Sequence, residues 1–260
     1  MYENLSKWEM IMARYKEILR EKLGKNLHYY EEIDSTNTFA KKIEEWHHGL
    51  VIIAGTQTAG RGTYGRTFHS KAGSGIYMTI MIDTNLWHFK NEKLATIYTA
   101  VAVSEAVAGV TKISPEVKWV NDLFIDGKKI GGILTEKDLG ANKLIVGIGI
   151  NLSGKQQDFP DEIKNIAASL ELDQPIDEQA AAIVVAIYEK MLEMGRLSNE
   201  ATVLNLYKEK LFIVGEEVDI EYDNGLFKAK VIDVDDEGRL VILRDGEMLS
   251  LSVGEVRVKV

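Results

Sequence analysis

The chain has 260 residues, 45% hydrophobic and 27% charged, with no cysteine and a net charge of −9. That length suits one large core with a small appended unit, and that composition excludes the disordered and fibrous classes. The lack of thiols excludes disulfides, zinc–thiolate sites and a cysteine nucleophile, and the acidic balance argues against binding nucleic acid through many phosphate contacts. Trp8, Ile11, Met12, Tyr15, Ile18 and Leu19 recur at helical spacing, so residues 1–23 read as one amphipathic helix closed by Gly24. Charges run through this segment and it holds no apolar run of signal or membrane-span length; the protein is therefore expected in the cytoplasm, with no membrane partner.

A strand is expected at Leu27–Ile33, then a helix from Asp34-Ser35-Thr36-Asn37 to about Trp46, capped by Ser35 or Asp34. Val51–Thr56 reads as a strand. Residues 57–75 are glycine-rich with no hydrophobic period, and long loops of this kind in compact domains are usually functional. Ile76, Met78, Ile80 and Ile82 alternate as a strand, Leu94–Val110 is an alanine-rich helix, and Lys118-Trp119 opens another strand. Asp126-Gly127 signals a tight hairpin, with Lys129–Glu136 and Leu144–Ile150 pairing beside it. Helices follow at Asp177–Met194, after Pro175, and at Asn199–Leu211. Beyond Phe212, short alternating runs are parted by Asp223-Asn224-Gly225, Asp236-Glu237-Gly238 and Asp245-Gly246, the pattern of a five-stranded antiparallel barrel. The expected division is an N-terminal helix (1–26), a large central unit (27–211) and a small C-terminal unit (212–260).

The loop Gly60-Arg61-Gly62-Thr63-Tyr64-Gly65-Arg66 contains G-x-G-x-x-G, but its third glycine opens no helix, as a dinucleotide fingerprint requires. The partner motifs of a kinase are also missing. Two arginines among glycines instead let guanidinium groups and backbone amides approach a carboxylate or phosphate closely; the bland alternative is a solvated loop. In Lys118-Trp119-Val120-Asn121-Asp122, the amide and carboxylate are hard oxygen donors suited to Mg²⁺ on a nucleotide, although Asn-Asp is also a common turn pair. Lys128 and Lys129 alternate, so one of them at most faces a site, with Gly131 and Gly132 following at once. Gly147–Asn151 ends a strand with small residues and a carboxamide, which also suits a plain core strand closed by a turn.

Taken in order, Ser35-Thr36-Asn37, Gln57 with Gly60–Phe68, Lys118–Asp122, Lys129–Leu134 and Gly147–Asn151 resemble the motifs of the bacterial biotin–protein ligase family, across the chain from about Leu27 onward. The resemblance implies an α+β fold: a mixed central sheet flanked by helices, of the class II synthetase-like biotin–lipoate ligase kind, followed by a small SH3-like β-barrel. It also implies that biotin is activated with ATP as biotinyl-5′-AMP, with release of pyrophosphate, and is then transferred to a lysine of a biotin carboxyl carrier protein or domain. By the same resemblance biotin is held by Ser35, Thr36, Asn37, Gln57, Arg61, Lys129 and Gly132. The nucleotide is held by Arg66, Phe68, Lys118, Asn121, Asp122 and Asn151, with Gly62 and Thr63 in the loop between. Arg61, Lys118, Asp122 and Lys129 are the expected catalytic groups, and Asn121 and Asp122 the expected Mg²⁺ ligands. No general base for the transfer step stands out.

Two positions depart from the family pattern. Thr63 stands where an arginine is usual, which is expected to loosen retention of the adenylate, with Tyr64 partly covering the pocket in compensation. Val120 replaces a proline and is expected to change little. The segment before Leu27 is too short for the winged helix of relatives that repress transcription, so catalysis without sequence-specific DNA binding is expected; a homodimer through sheet edges stays open. The alternatives are a lipoate or octanoate enzyme of the same fold and a non-catalytic, biotin-dependent regulator.

Overall fold

The computed structural model describes residues 6–87, 91, 94–138, 140–172, 178–197, 199–222, 225–252 and 256–259. Helix α1 spans Lys7–Leu23 and is started by a reciprocal cap: Ser6 Oγ accepts from the Glu9 amide, and the Ser6 amide donates to the Glu9 carboxylate. The expected start at residue 1 lies outside the described residues. Tyr15, Leu19 and Leu23, four apart, are buried along one stripe, and Gly24, at φ +54°, closes the helix.

Strand β1 (Leu27–Ile33) leads into α2 (Thr36–Lys42), whose cap is Ser35. The helix stops short of Trp46. The chain turns extended at Ile43, and Ile43 and Trp46 instead pack against a cluster that joins Ala40 of α2 to Leu50 and Ile52 of β2 (Leu50–Gln57). Next come β3 (Gly75–Asp83), α3 (Ala95–Thr111), β4 (Glu116–Lys118), β5 (Asp122–Ile125), β6 (Lys128–Asp138) and β7 (Lys143–Asn151). Lys118 thus closes a strand rather than opening one. It pairs with Asp122 across the Trp119–Asn121 turn, in which the Trp119–Val120 peptide is cis. Asp126 and Gly127, at φ +48° and +71°, make the two-residue hairpin between β5 and β6.

These strands form a seven-stranded sheet in the order β1-β2-β3-β7-β6-β5-β4, parallel between β1 and β2 and antiparallel elsewhere. On one face α3 lies buried with α1, α4 (Glu178–Leu197) and α5 (Glu200–Lys210) over Ile76, Met78, Ile80, Val146, Ile148 and Ile150. The alanines of α3 let these helices approach closely. The expected start of α4 near Asp177, after Pro175, lies outside the described residues.

The opposite face carries the short α2. There the residues that alternate with that apolar row are Gly147 and Gly149 on β7, beside Gly132 on β6. This change from branched side chains to glycine within single strands opens a cavity on that face.

The second sheet comprises β8 (Glu217–Tyr222), β9 (Gly225–Val234), β10 (Leu240–Arg244), β11 (Glu247–Leu251) and β12 (Val256–Lys259). It is antiparallel, in the order β11-β10-β9-β8-β12. Of the expected Asp223-Asn224-Gly225 turn, Asp223 and Asn224 lie outside the described residues. The architecture is the expected one: a mixed sheet flanked by helices and a small antiparallel C-terminal unit. No helix among the described residues is long and apolar enough to cross a membrane.

Candidate active site

The glycine floor shapes the cavity. Gly132 pairs with Gly149, and Leu134 with Gly147. A Cβ on Gly149 would lie 2.5 Å from the Phe68 ring, and one on Gly147 would collide with the Asn37 amide. Glycine at these positions therefore lets Phe68 and Asn37 lie directly against the sheet, with a ligand space beside them lined by residues from α2, the glycine loop, β6 and β7.

One end is polar and already satisfied within itself. Ser35, Thr36 and Asn37 are buried at the start of α2. The Thr36 amide and hydroxyl both donate to Gln57 Oε1 (2.8 and 3.2 Å), and Gln57 Nε2 donates to Ser70 Oγ at 2.8 Å. Asn37 Nδ2 donates to the Leu134 carbonyl (3.0 Å) and to Glu136 (3.1 Å), while its Oδ1 accepts from Thr79 at 2.7 Å. Such a network fixes which groups face the ligand before it arrives.

The loop above is a tight hairpin. Gly62 donates to the Arg66 carbonyl at 2.7 Å and Phe68 to the Gly60 carbonyl at 2.9 Å, with the turn at Thr63–Gly65. Gly62, Thr63 and Arg66 line the cavity. Tyr64, at φ +57° and 47% exposed, does not line it, so it does not cover the pocket as expected; the Arg66 guanidinium lies 5.9 Å from its ring centre. Arg61 also lines the cavity, but its guanidinium is committed: both terminal nitrogens donate to Glu136 at 2.9 Å.

The other end is cationic. Lys129 lines the cavity and its Nζ lies 2.6 Å from Asp122 Oδ1, the pair standing over Gly132. Lys118 and Asp122 themselves lie beside the cavity and not on its wall. Lys118 is held below the ordinary lysine range by burial above all, and further by Lys129 and Arg66, against the opposing pull of Asp122. Arg66, Lys118 and Lys129 thus act on one small region that Asp122 only partly neutralises. Asn121 lines the cavity and uses its amide N–H to hold the Ile133 carbonyl at 2.9 Å.

Two features had no place in the sequence reading. Glu136 sits at the polar end, where burial pushes its carboxyl up but hydrogen bonds from Lys41, Arg61 and Asn37 together bring it below the usual range. A third wall comes from Phe159, Ile163, Ile166 and Ala167, in a segment to which no element was assigned. It is tied down by Lys129 N to the Ile166 carbonyl, Ala168 N to the Lys129 carbonyl and Asn151 Nδ2 to the Ala168 carbonyl, at 2.8, 2.8 and 2.9 Å. The signal available was Phe159, Ile163 and Ile166 at three- and four-residue spacing.

Comparison with known proteins identifies relatives of this fold. Residues 29–153 match the Biotin/lipoate A/B protein ligase family and residues 213–258 the Biotin protein ligase C terminal domain. The bifunctional ligase/repressor BirA of Bacillus spizizenii is 33% identical over 230 residues, 85% of this chain and 70% of that protein. The biotin–[acetyl-CoA-carboxylase] ligase of Mycobacterium tuberculosis is 28% identical over 219 residues, 80% of this chain and 78% of that protein. Among solved structures, the biotin protein ligase from Aquifex aeolicus in complex with biotin and ATP superposes with a TM-score of 0.76 at 29% identity, covering 90% of this chain and 99% of that one. The chain is a ligase and belongs to the biotin–protein ligase family.

Proposed function

We propose that the protein joins biotin to ATP as biotinyl-5′-AMP and then transfers the biotinyl group to a lysine of a biotin carboxyl carrier domain. The observation that carries this reading is one cavity with a neutral, hydrogen-bonding end at Ser35–Asn37 and Gln57 and a cationic end at Arg66 and Lys129, with Lys118 beside it, joined at the Lys129–Asp122 pair over Gly132. A carboxylate lying along this axis meets a nucleotide phosphate at the join. In the first step a carboxylate oxygen of biotin attacks the α-phosphorus, a P–O bond forms, the bond to the β-phosphate breaks, and pyrophosphate leaves. The reactants are both anions, so the fixed cations lower their mutual repulsion and stabilise the charge that moves to the leaving group. In the second step the lysine amine attacks the acyl carbon, its proton is lost, and AMP leaves. Positioning carries both steps, with no protein nucleophile.

Mg²⁺ would sit on the nucleotide phosphates, with Asp122 and the amide oxygen of Asn121 as its protein donors, and would neutralise phosphate charge. The donor set fits an ion that usually takes one or two protein oxygens. Among the described residues no three His, Cys, Asp or Glu side chains gather, which leaves most of such a shell to phosphate and water.

Biotin is favoured over lipoate or octanoate because the match to the C-terminal domain of biotin protein ligases accompanies the catalytic one. The deciding measurement is Mg²⁺-dependent pyrophosphate release from ATP with biotin, lipoate or octanoate, without acceptor. Release with biotin alone supports the reading; release with lipoate or octanoate alone overturns the substrate, and silence with all three overturns the catalytic role.

A further inference from the structure

The glycine loop meets the rest of the site at a charged knot. Glu136, on β6, takes both terminal nitrogens of Arg61 at 2.9 Å, Lys41 Nζ at 2.7 Å and Asn37 Nδ2 at 3.1 Å. Its side chain is 19% exposed, whereas those of Arg61 and Lys41 are 39% and 44% exposed. The carboxylate is thus the enclosed hub and the cations reach it from outside. Bidentate guanidinium–carboxylate pairing fixes orientation as well as distance. The three donors come from two separate elements, α2 and the loop, and both carry groups that line the cavity: Asn37 itself, and Gly62, Thr63 and Arg66 beyond Arg61.

We propose that Glu136 is a positioning residue for the biotin end of the site, fastening the glycine loop and α2 to β6 before ligand arrives, and that Arg61 acts through Glu136 rather than on the ligand. This rests on the reading of the cavity as a biotin site. The loop's backbone amides then meet the ligand already ordered, and their ordering entropy is not charged against binding.

The test is a double-mutant cycle with Glu136→Gln, Arg61→Ala and the pair, measured by biotin titration calorimetry without ATP and by trypsin cleavage at Arg66 without ligand. Each single change is expected to weaken biotin binding about tenfold and to speed Arg66 cleavage, with the pair no worse than either alone. Arg61→Lys, which keeps the ion pair but not the fork, is expected to recover part of the loss. Arg61 is partly exposed, so Arg61→Ala still carries the test if Glu136→Gln fails to fold.

Two results overturn the proposal: losses that multiply in the pair, because Arg61 then contacts ligand itself, or wild-type biotin affinity and cleavage rate in either single variant. Failure of wild-type protein to bind biotin overturns the biotin reading instead, and the cleavage rates then still decide whether Glu136 anchors the loop.

Discussion

The indole Nε1 of Trp119 donates a buried 3.0 Å hydrogen bond to the carbonyl of Gly238, 119 residues further along the chain. Gly238 is the tip of the β9–β10 hairpin, at φ +78°, and a Cβ there would meet Leu94, just before α3, and Ile97 of α3 at 2.7 and 2.8 Å. Asp235 braces this tip by accepting from the amides of Glu237 and Arg239 and from the Arg239 guanidinium. From α5, the Tyr207 hydroxyl donates to the Val120 carbonyl at 3.1 Å. The turn between Lys118 and Asp122 is therefore held from behind by the C-terminal sheet and the helix that leads to it.

Trp119→Phe keeps most of the packing but leaves the Gly238 carbonyl buried without its donor. A loss of about 1–3 kcal/mol in urea unfolding is expected, with a severalfold rise in the KM for ATP and no change in biotin affinity measured alone. An unchanged KM for ATP in a destabilised variant would show that the C-terminal sheet supports the fold but not the phosphate end.

Lys129→Met removes the cation at the join and leaves Asp122 unpaired beside the phosphates. Single-turnover pyrophosphate release is expected to slow by about 10²–10³-fold, the scale for losing one preorganised charge at a reacting centre. Circular dichroism should stay native, since Lys129 is partly exposed. A rate within fivefold of wild type would place the reacting atoms elsewhere.

Two glycine substitutions should separate space from backbone strain. Gly149→Ala drives a methyl into the Phe68 ring at 2.5 Å, so a stability loss of about 1–3 kcal/mol and a weaker substrate complex are expected. Gly65→Ala meets nothing within 4 Å, but Gly65 sits at φ +72°. Its cost is expected at about 1 kcal/mol, from left-handed backbone alone. Thermal melts and substrate titrations of the two variants should differ accordingly.

Lys118, held below the ordinary lysine range by burial and by its cationic neighbours, loses its proton at lower pH than a free lysine does. A lowered pKa means that the charged form, and with it the phosphate contact proposed for Lys118, is complete only below that pKa and fades as pH rises through it. The KM for ATP should therefore climb on the alkaline side before the ordinary lysine range is reached. In Lys118→Arg the guanidinium keeps its charge, and that climb should vanish.

Much of this protein is legible from local pattern. The Ser35 cap, the alternation of Ile76, Met78, Ile80 and Ile82, and the Asp126-Gly127 hairpin follow from backbone preference and a period of two or 3.6, which act within a few residues. The segments that line the cavity are likewise marked by glycines, cations and amides at fixed spacing. Their partners are not marked. Glu136 reads as one more polar residue on a strand, the Arg61 it holds lies 75 residues away, and nothing near Trp119 announces Gly238.

The sequence by itself therefore determined most of the elements, the family and the chemical character of the groups expected at the site, because those depend on residue type and near-neighbour spacing. Only the tertiary structure decided that Arg61 is spent on a carboxylate, that Tyr64 does not line the cavity, that Lys118 stands beside the cavity and that residues 159–167 wall it. Those outcomes depend on which distant groups the sheet order brings within hydrogen-bond reach, where a buried charge must find a partner or go without.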